Sequence, residues 1–244
     1  MPSTPVTYEH SGGVATIRID DGKRNALGPE VLEQIDRALD RAERDGATVV
    51  LTGRQGVFSA GFDLKVLRGG GVGALRMLNA GFALAERLLG FPTPVVVAVN
   101  GHAIAMGSFL VLCGDYRIGV TGDYKYLANE VAIGLTMPRA AVEICRQRLA
   151  SPHFVRVTAL SETYGPAEAV NAGFLDRVVA AEHLDADAAA VAEQLAKLDM
   201  KAHAETKQRV RRTALRALRA ARRLDMADFA ALGVKTLLKS TAKR

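Results

Sequence analysis

Cysteine is scarce in this chain: two among 244 residues, Cys113 and Cys145, both in apolar surroundings. Such thiols read as buried and free, exclude a disulfide framework and favour a reducing cytoplasm. Long hydrophobic runs are also missing. None exceeds the five residues from Val95 to Val99, far short of the roughly 20 that a membrane-spanning helix needs. The opening residues, MPSTPVTYEH, hold neither a basic leader nor an apolar segment. No signal peptide is expected, and the protein is expected to be cytoplasmic and without a membrane partner. The five histidines show no ligand spacing along a helix and no CxxC accompanies them, which argues against a metal site. A Walker A sequence is absent.

What is present describes an ordinary globular protein, 49% apolar and 24% charged. Its length suits one large domain or one domain with a helical appendage. The net charge is +6. The excess sits mainly between Lys201 and Arg223, where Lys and Arg crowd and Glu205 is the single acid. Val210, Ala214, Leu218, Ala221 and Leu224 predict one apolar stripe there, with Arg211, Arg212, Arg216, Arg219 and Arg223 on a solvated basic face. Nucleic acid is not an expected partner, because the stretch has no aromatic residue on which bases could stack.

Strand and helix signals alternate as far as about residue 180 and are helical thereafter, which predicts an α/β core with a helical C-terminal part. Val6 to Tyr8 and Val14 to Ile19 read as a hairpin. A helix begins at Pro29 with Val31, Leu32, Ile35, Ala38, Leu39 and Ala42 on one face. Thr48 to Leu51 and Val95 to Val99 are buried strands. RGGGVG (68–73) reads as a surface loop, followed by a helix whose inner stripe is Leu75, Leu78, Phe82, Ala85 and Leu88/Leu89. The chain is expected to be helical from about Gly101 to Cys113, and Pro166 to Ala172 to be a helix closed by Gly173. No internal repeat is visible. Gly69 to Ala74 matches G-x-G-x-x-A, but it follows no buried strand and lacks the downstream acid of a dinucleotide site. Ser59 in GVFSAG lacks the G-x-S-x-G spacing of a nucleophile elbow and reads as a turn residue.

Three segments carry the chemistry: SAGFDLK (59–65), NGHAIAMGSFLVLCGDYRI (100–118) and NEVAIGLTMP (129–138). In the first two, small residues end a strand and open a loop or helix, where free backbone N–H groups can bind an oxyanion. In the third, Glu130 borders the apolar run VAIGL, and burial would raise its pKa toward that of a proton carrier. Alone, such a glutamate reads more often as a solvated edge or a cap.

Taken together, in this order and spacing, the segments resemble the crotonase (enoyl-CoA hydratase/isomerase) family, from about Val14 to Val179. RNAL (24–27) is similar to the family's early loop that approaches coenzyme A. The resemblance implies a crotonase-like spiral of ββα units over 1–182. It also implies a helical region over 183–244 that takes part in oligomerisation and covers the pocket, in a homotrimer or dimer of trimers. It implies an acyl-CoA thioester substrate, with coenzyme A as part of that substrate and no separate cofactor. Glu130 is then the acid/base, and the N–H groups of Phe62 and Met106 form the oxyanion hole. Most members have glycine where Met106 stands, so methionine serves if its φ is negative. Ala26 and Ala60 would line the adenine and pantetheine. Lys23, Arg24 and Lys65 would meet phosphate or ribose. Asp63 and Leu64 would belong to the oxyanion loop, and Gly107 would let backbone approach ligand. Hydratases of the family place a second glutamate where this chain has Phe109. One glutamate in an Asn-Glu context opposite an apolar residue resembles the Δ3,Δ2-enoyl-CoA isomerases; a hydratase-like enzyme with one glutamate and a protein that binds acyl-CoA without turnover are the alternatives.

Overall fold

The computed structural model describes the backbone of residues 4–241 and the side chains as far as residue 231; the last residues of the expected helical region, 242–244, lie outside the described residues. A hairpin opens the fold, strands β1 (Val6–Ser11) and β2 (Val14–Ile19) turning at Gly12-Gly13. Helix α1 (Pro29–Arg44) buries all six residues of the expected face. Three ββα passages follow. The first is β3 (Thr48–Thr52), β4 (Gly56–Ser59), and helices α2 (Leu64–Gly69) and α3 (Gly71–Leu89). The second is β5 (Val95–Val99), β6 (Gly101–Ile104) and α4 (Met106–Cys113). The third is β7 (Tyr116–Val120), β8 (Tyr126–Leu127), a 3-10 turn (Val131–Ile133) and α5 (Arg139–Arg146). Helices α6 (Ser151–Thr158) and α7 (Pro166–Ala172), strand β9 (Arg177–Val179), and helices α8 (Leu184–Leu195) and α9 (Met200–Thr241) complete the chain.

The first strand of each passage joins one sheet and the second joins another. The large sheet has the order β1-β2-β3-β5-β7-β9, parallel except for the hairpin. The small one, β4-β6-β8, is wholly parallel. Strand β5 shows why its sequence is one unbroken apolar run. Val95, Val97 and Val99 face the main core, whereas Val96 and Ala98 face a second cluster with Leu184, Ala188 and Ala192 of α8. A parallel strand covered on both sides has no polar face.

Four expectations need correction. The glycines 69–73 are not a loop: Gly69 ends α2, Gly70 is the break, and α3 starts at Gly71. The inner face of α3 is Ala74, Met77, Gly81, Phe82, Leu84, Ala85, Leu88 and Leu89, leaving Leu75 and Leu78 half-buried. Residues 101–104 form a strand before the helix begins.

The fourth correction concerns α9. Val210 and Leu224 are exposed, while Lys207, Arg211, Leu215, Leu218, Ala221 and Asp225 are buried. The helix turns two of its cations inward because acceptors wait there. Lys207 Nζ lies 2.6 Å from Asp115 Oδ2, and Arg211 reaches Asp115 Oδ1 at 2.8 Å. The same guanidinium donates to the carbonyls of Leu89 (3.0 Å) and Cys113 (3.1 Å), at the ends of α3 and α4, where cations offset the helix dipoles. Lower down, Asp225 accepts from the amides of Arg139 (3.0 Å) and Ala140 (2.8 Å) and so caps α5.

Candidate active site

In the small parallel sheet the carboxyl ends of β4, β6 and β8 share one edge, and the chain leaves that edge through the three segments singled out in the sequence. From β4 it enters Ala60-Gly61-Phe62-Asp63, from β6 Ala105-Met106, and from β8 Ala128-Asn129-Glu130. Registers Ser59↔Ala103 and Ala103↔Tyr126 hold the three ends together.

The first turn is held from both flanks. Ser59 Oγ donates to Asn25 O (2.8 Å) and accepts from Gly61 N (3.1 Å), so Ser59 is the turn residue expected. Gly61 O accepts from Leu27 N (2.8 Å), and Asp63 N donates to Leu27 O (3.4 Å). Asp63 then caps α2, its Oδ1 accepting from Lys65 N (2.7 Å) and Val66 N (3.4 Å). The loop 20–27 that supplies Leu27 is itself tied by side-chain hydrogen bonds. Asp21 accepts from the amides of Lys23 (2.7 Å), Asn25 (2.9 Å) and Ala26 (3.1 Å). Burial opposes ionisation of Asp21, but these amides and Arg54 outweigh it and lower its pKa. Asn25, buried with φ 51°, donates to Ile19 O, Val57 O and Phe58 O. Asp21 and Asn25 were not singled out from sequence, although Asp/Asn-rich DDGKRN is itself a turn signal. Lys23 and Arg24 are exposed on this loop and Ala26 is half-buried; Ala60 N donates to Arg24 O (3.0 Å), which sets Ala60 beside them. Leu64 and Lys65 are exposed at the start of α2.

The second turn abuts the first. A Cβ placed on Gly61 would lie 3.0 Å from Ala105 Cβ and 3.3 Å from Met106 N. Among the described residues the amides of Phe62 and Met106 donate to no protein acceptor. The positive φ falls on Ala105 (φ 51°, ψ −123°) and not on Met106, which opens α4 with a free N–H. A non-glycine residue in that region is strained, and such strain gathers at functional sites. Gly107 is packed tightly within the protein. The close approach it permits is to the protein's own backbone, since a Cβ there would fall 2.5 Å from Ser59 O. Phe109 is 1% exposed, in the main core.

Glu130 begins the 3-10 turn, and its carbonyl accepts from Ile133 N (3.2 Å) and Leu135 N (2.8 Å). Its Oε2 is buried and has no hydrogen-bond partner. Burial pushes the carboxyl up to about 7. Its charge in turn adds to burial in raising the thiol of Cys145 on α5, a neighbour the sequence did not reveal. The apolar run after Glu130 is not what buries it: Val131, Ile133 and Leu135 are 43%, 54% and 46% exposed. The tight turn sends them outward and the carboxyl inward.

Elsewhere, His102 accepts from Lys125 N (3.1 Å) and meets Tyr124 edge-on, a packing role. A cavity of about 480 Å³ at the start of α9 is lined by Asp115, Arg148, His203, Lys207 and Arg211 but not by Glu130. Among the described residues no group of three or more His, Cys, Asp or Glu could hold a metal ion, and no helix is long and apolar enough to cross a membrane.

Residues 9–242 match the family model described as enoyl-CoA hydratase/isomerase. A Mycobacterium tuberculosis protein solved twice, described once as an enoyl-CoA isomerase and once as a probable enoyl-CoA hydratase, is 45% and 44% identical, with TM-scores of 0.88 and 0.91 over 94% and 96% of this chain and 99% of that one. Human mitochondrial delta3-delta2-enoyl-CoA isomerase is 26% identical with a TM-score of 0.88, covering 98% of each chain. A putative enoyl-CoA hydratase of Thermus thermophilus is 33% identical over 195 residues, 76% of each chain.

Proposed function

The chain belongs to the enoyl-CoA hydratase/isomerase family, and from that premise we propose that it shifts the double bond of a 3-enoyl-CoA to the conjugated 2-position, with Glu130 as its single acid/base. One observation carries the reading. At the shared edge of β4, β6 and β8, two amides without protein acceptors stand on adjoining turns, and the third strand ends at a buried carboxyl poised at about 7.

The thioester oxygen accepts hydrogen bonds from the N–H groups of Phe62 and Met106. Glu130 takes a proton from C2, and the negative charge spreads over a dienolate whose oxygen the two amides stabilise. One such donor is worth about 3 kcal/mol of barrier. Glu130 returns the proton to C4. A carboxyl near 7 is apt for both strokes, because it takes up and releases a proton with little cost at neutral pH. By the resemblance, Phe109 stands where the family's hydratases carry a second glutamate to direct water, which supports isomerisation over hydration. Lys23, Arg24 and Lys65 contact phosphate or ribose of coenzyme A, Ala26 and Ala60 line its adenine and pantetheine, and Asp63, Leu64 and Gly107 shape the turns. Coenzyme A enters as part of the substrate, and no other cofactor takes part. The homotrimer or dimer of trimers, with its helical region over the pocket, belongs to the same proposal.

Purified protein given a 3-enoyl-CoA is expected to form the conjugated thioester without a change in mass. Glu130→Gln should lower the rate at least about 100-fold. The wild-type rate should rise with pH through about 7 and then level off as Glu130 ionises. Wild-type turnover no faster than the variant's removes the isomerase reading. A product heavier by one water replaces it with a single-carboxylate hydratase, the activity named for the Thermus thermophilus relative.

A further inference from the structure

Gly81 sits in the buried middle of α3, where alanine suits a helix better. What occupies the missing side chain's place explains the glycine. A Cβ on Gly81 would lie 2.4 Å from Cε1 and 2.5 Å from Cζ of Phe62, and 3.6 Å from Cε of Met106. The phenyl ring of residue 62 therefore rests in a notch cut into the helix. Phe82, next in the helix, meets that ring edge-on, with centroids 6.0 Å apart and planes at 69°. The main chain around residue 62 is tied down separately, through Gly61 O and Asp63 N to Leu27. The segment carrying the free amide is thus fixed on one side by backbone bonds and on the other by a seated ring.

We infer that Gly81 is a positioning residue: by lacking a Cβ it seats the ring of Phe62 and so sets the direction of the residue 62 amide. This rests on the reading of that amide as an oxyanion donor. A helix interior cannot retreat without disturbing Leu84, Ala85 and Leu88 beneath it, so a methyl group at position 81 must displace the ring. Displacing the ring removes the side-chain half of that support and leaves the bonds to Leu27 alone to hold the amide's direction.

A size swap tests the inference, using Gly81→Ala, Phe62→Leu and the double variant. Leucine has no atoms where Cε1 and Cζ of the phenyl ring lie, so it clears the new methyl while keeping the backbone N–H. Gly81→Ala is expected to lower kcat about 100-fold, the scale set by an ångström of misplacement. KM should change little, because the amide acts mainly on the transition state. Adding Phe62→Leu should bring kcat back to that of Phe62→Leu alone. If Gly81→Ala does not fold, recovery of a cooperative melt in the double variant supports the notch. Gly81→Ala turning over like wild type overturns the inference, as does a double variant no better than Gly81→Ala in rate or melting. A wild-type protein inactive on 3-enoyl-CoA and 2-enoyl-CoA alike overturns the proposed function and takes this inference with it. An active wild type with an indifferent residue 81 sinks the notch alone.

Discussion

Glu130 costs the fold something. One carboxyl oxygen is shut away from water without a donor, so ionisation is penalised. The folded-state pKa of about 7 stands above the ordinary 4.5. Between those two values the folded chain keeps a proton that the unfolded chain has released, so stability falls as pH rises through that window. The full loss at pH 8 is about 3 kcal/mol. Urea midpoints should therefore drop for wild type from pH 5 to pH 8 but hold nearly level for Glu130→Gln, which should be the more stable protein at pH 8. Parallel pH curves for the two would show the carboxyl to be solvated. Tyr126 is the second exposed weakness, a fully buried phenol whose hydroxyl has no partner. A stranded polar group costs about 1–3 kcal/mol, so Tyr126→Phe is expected to raise stability by about 1 kcal/mol, read as a higher denaturation midpoint. At this scale the sequence pointed to Glu130 through its Asn-Glu context and apolar neighbours. It could not show which way the tight turn throws those neighbours, because Val131, Ile133 and Leu135 look as inward-facing as any core residue until the turn's geometry is known. Gly107 is similar: the sequence calls for a close approach there, and it could not show that Ser59 O is one of the groups that comes close.

Among the helices, α1 was legible because its buried face is purely apolar, and α9 was not because its buried face is mixed. A stripe drawn through Val210 and Leu224 treats every Lys and Arg as solvent-facing. That rule fails wherever a half-buried carboxylate and helix-end carbonyls provide partners. Asp115 is that carboxylate, and it also accepts from Val95 N (2.8 Å) at the start of β5. Asp115→Ala would leave Lys207 and Arg211 buried without their counter-ion. The expected loss is about 3–5 kcal/mol, measured as a shift in urea midpoint with little change in slope. A loss below about 1 kcal/mol, typical of solvated pairs, would show that the two cations swing out to water. The register of α3 was misread for a related reason. Its buried face holds Ala74 and Gly81, small residues that a hydrophobic count passes over in favour of Leu75 and Leu78.

Over the whole molecule, the three ββα passages repeat a path of the backbone and not a pattern of side chains. TVVLT, VVVAV and YRIGV occupy equivalent strands, as do GVFS, GHAI and YL. Burial on both faces asks only that the first set be largely apolar, so no sequence echo survives, and GHAI is too short to be told from the start of the helix after it. The α/β alternation and the helical finish were legible because each needs only composition and period. The same core that hides the repeat holds Cys113 and Cys145, both at 0% exposure. Burial lifts the Cys113 thiol to about 12 and that of Cys145 higher still, so neither offers thiolate to a reagent at neutral pH. Alkylation then becomes a clock for opening of the interior. With iodoacetamide in excess, both sulfurs should react together at the rate of global unfolding, and urea should hasten them in step with the loss of secondary structure.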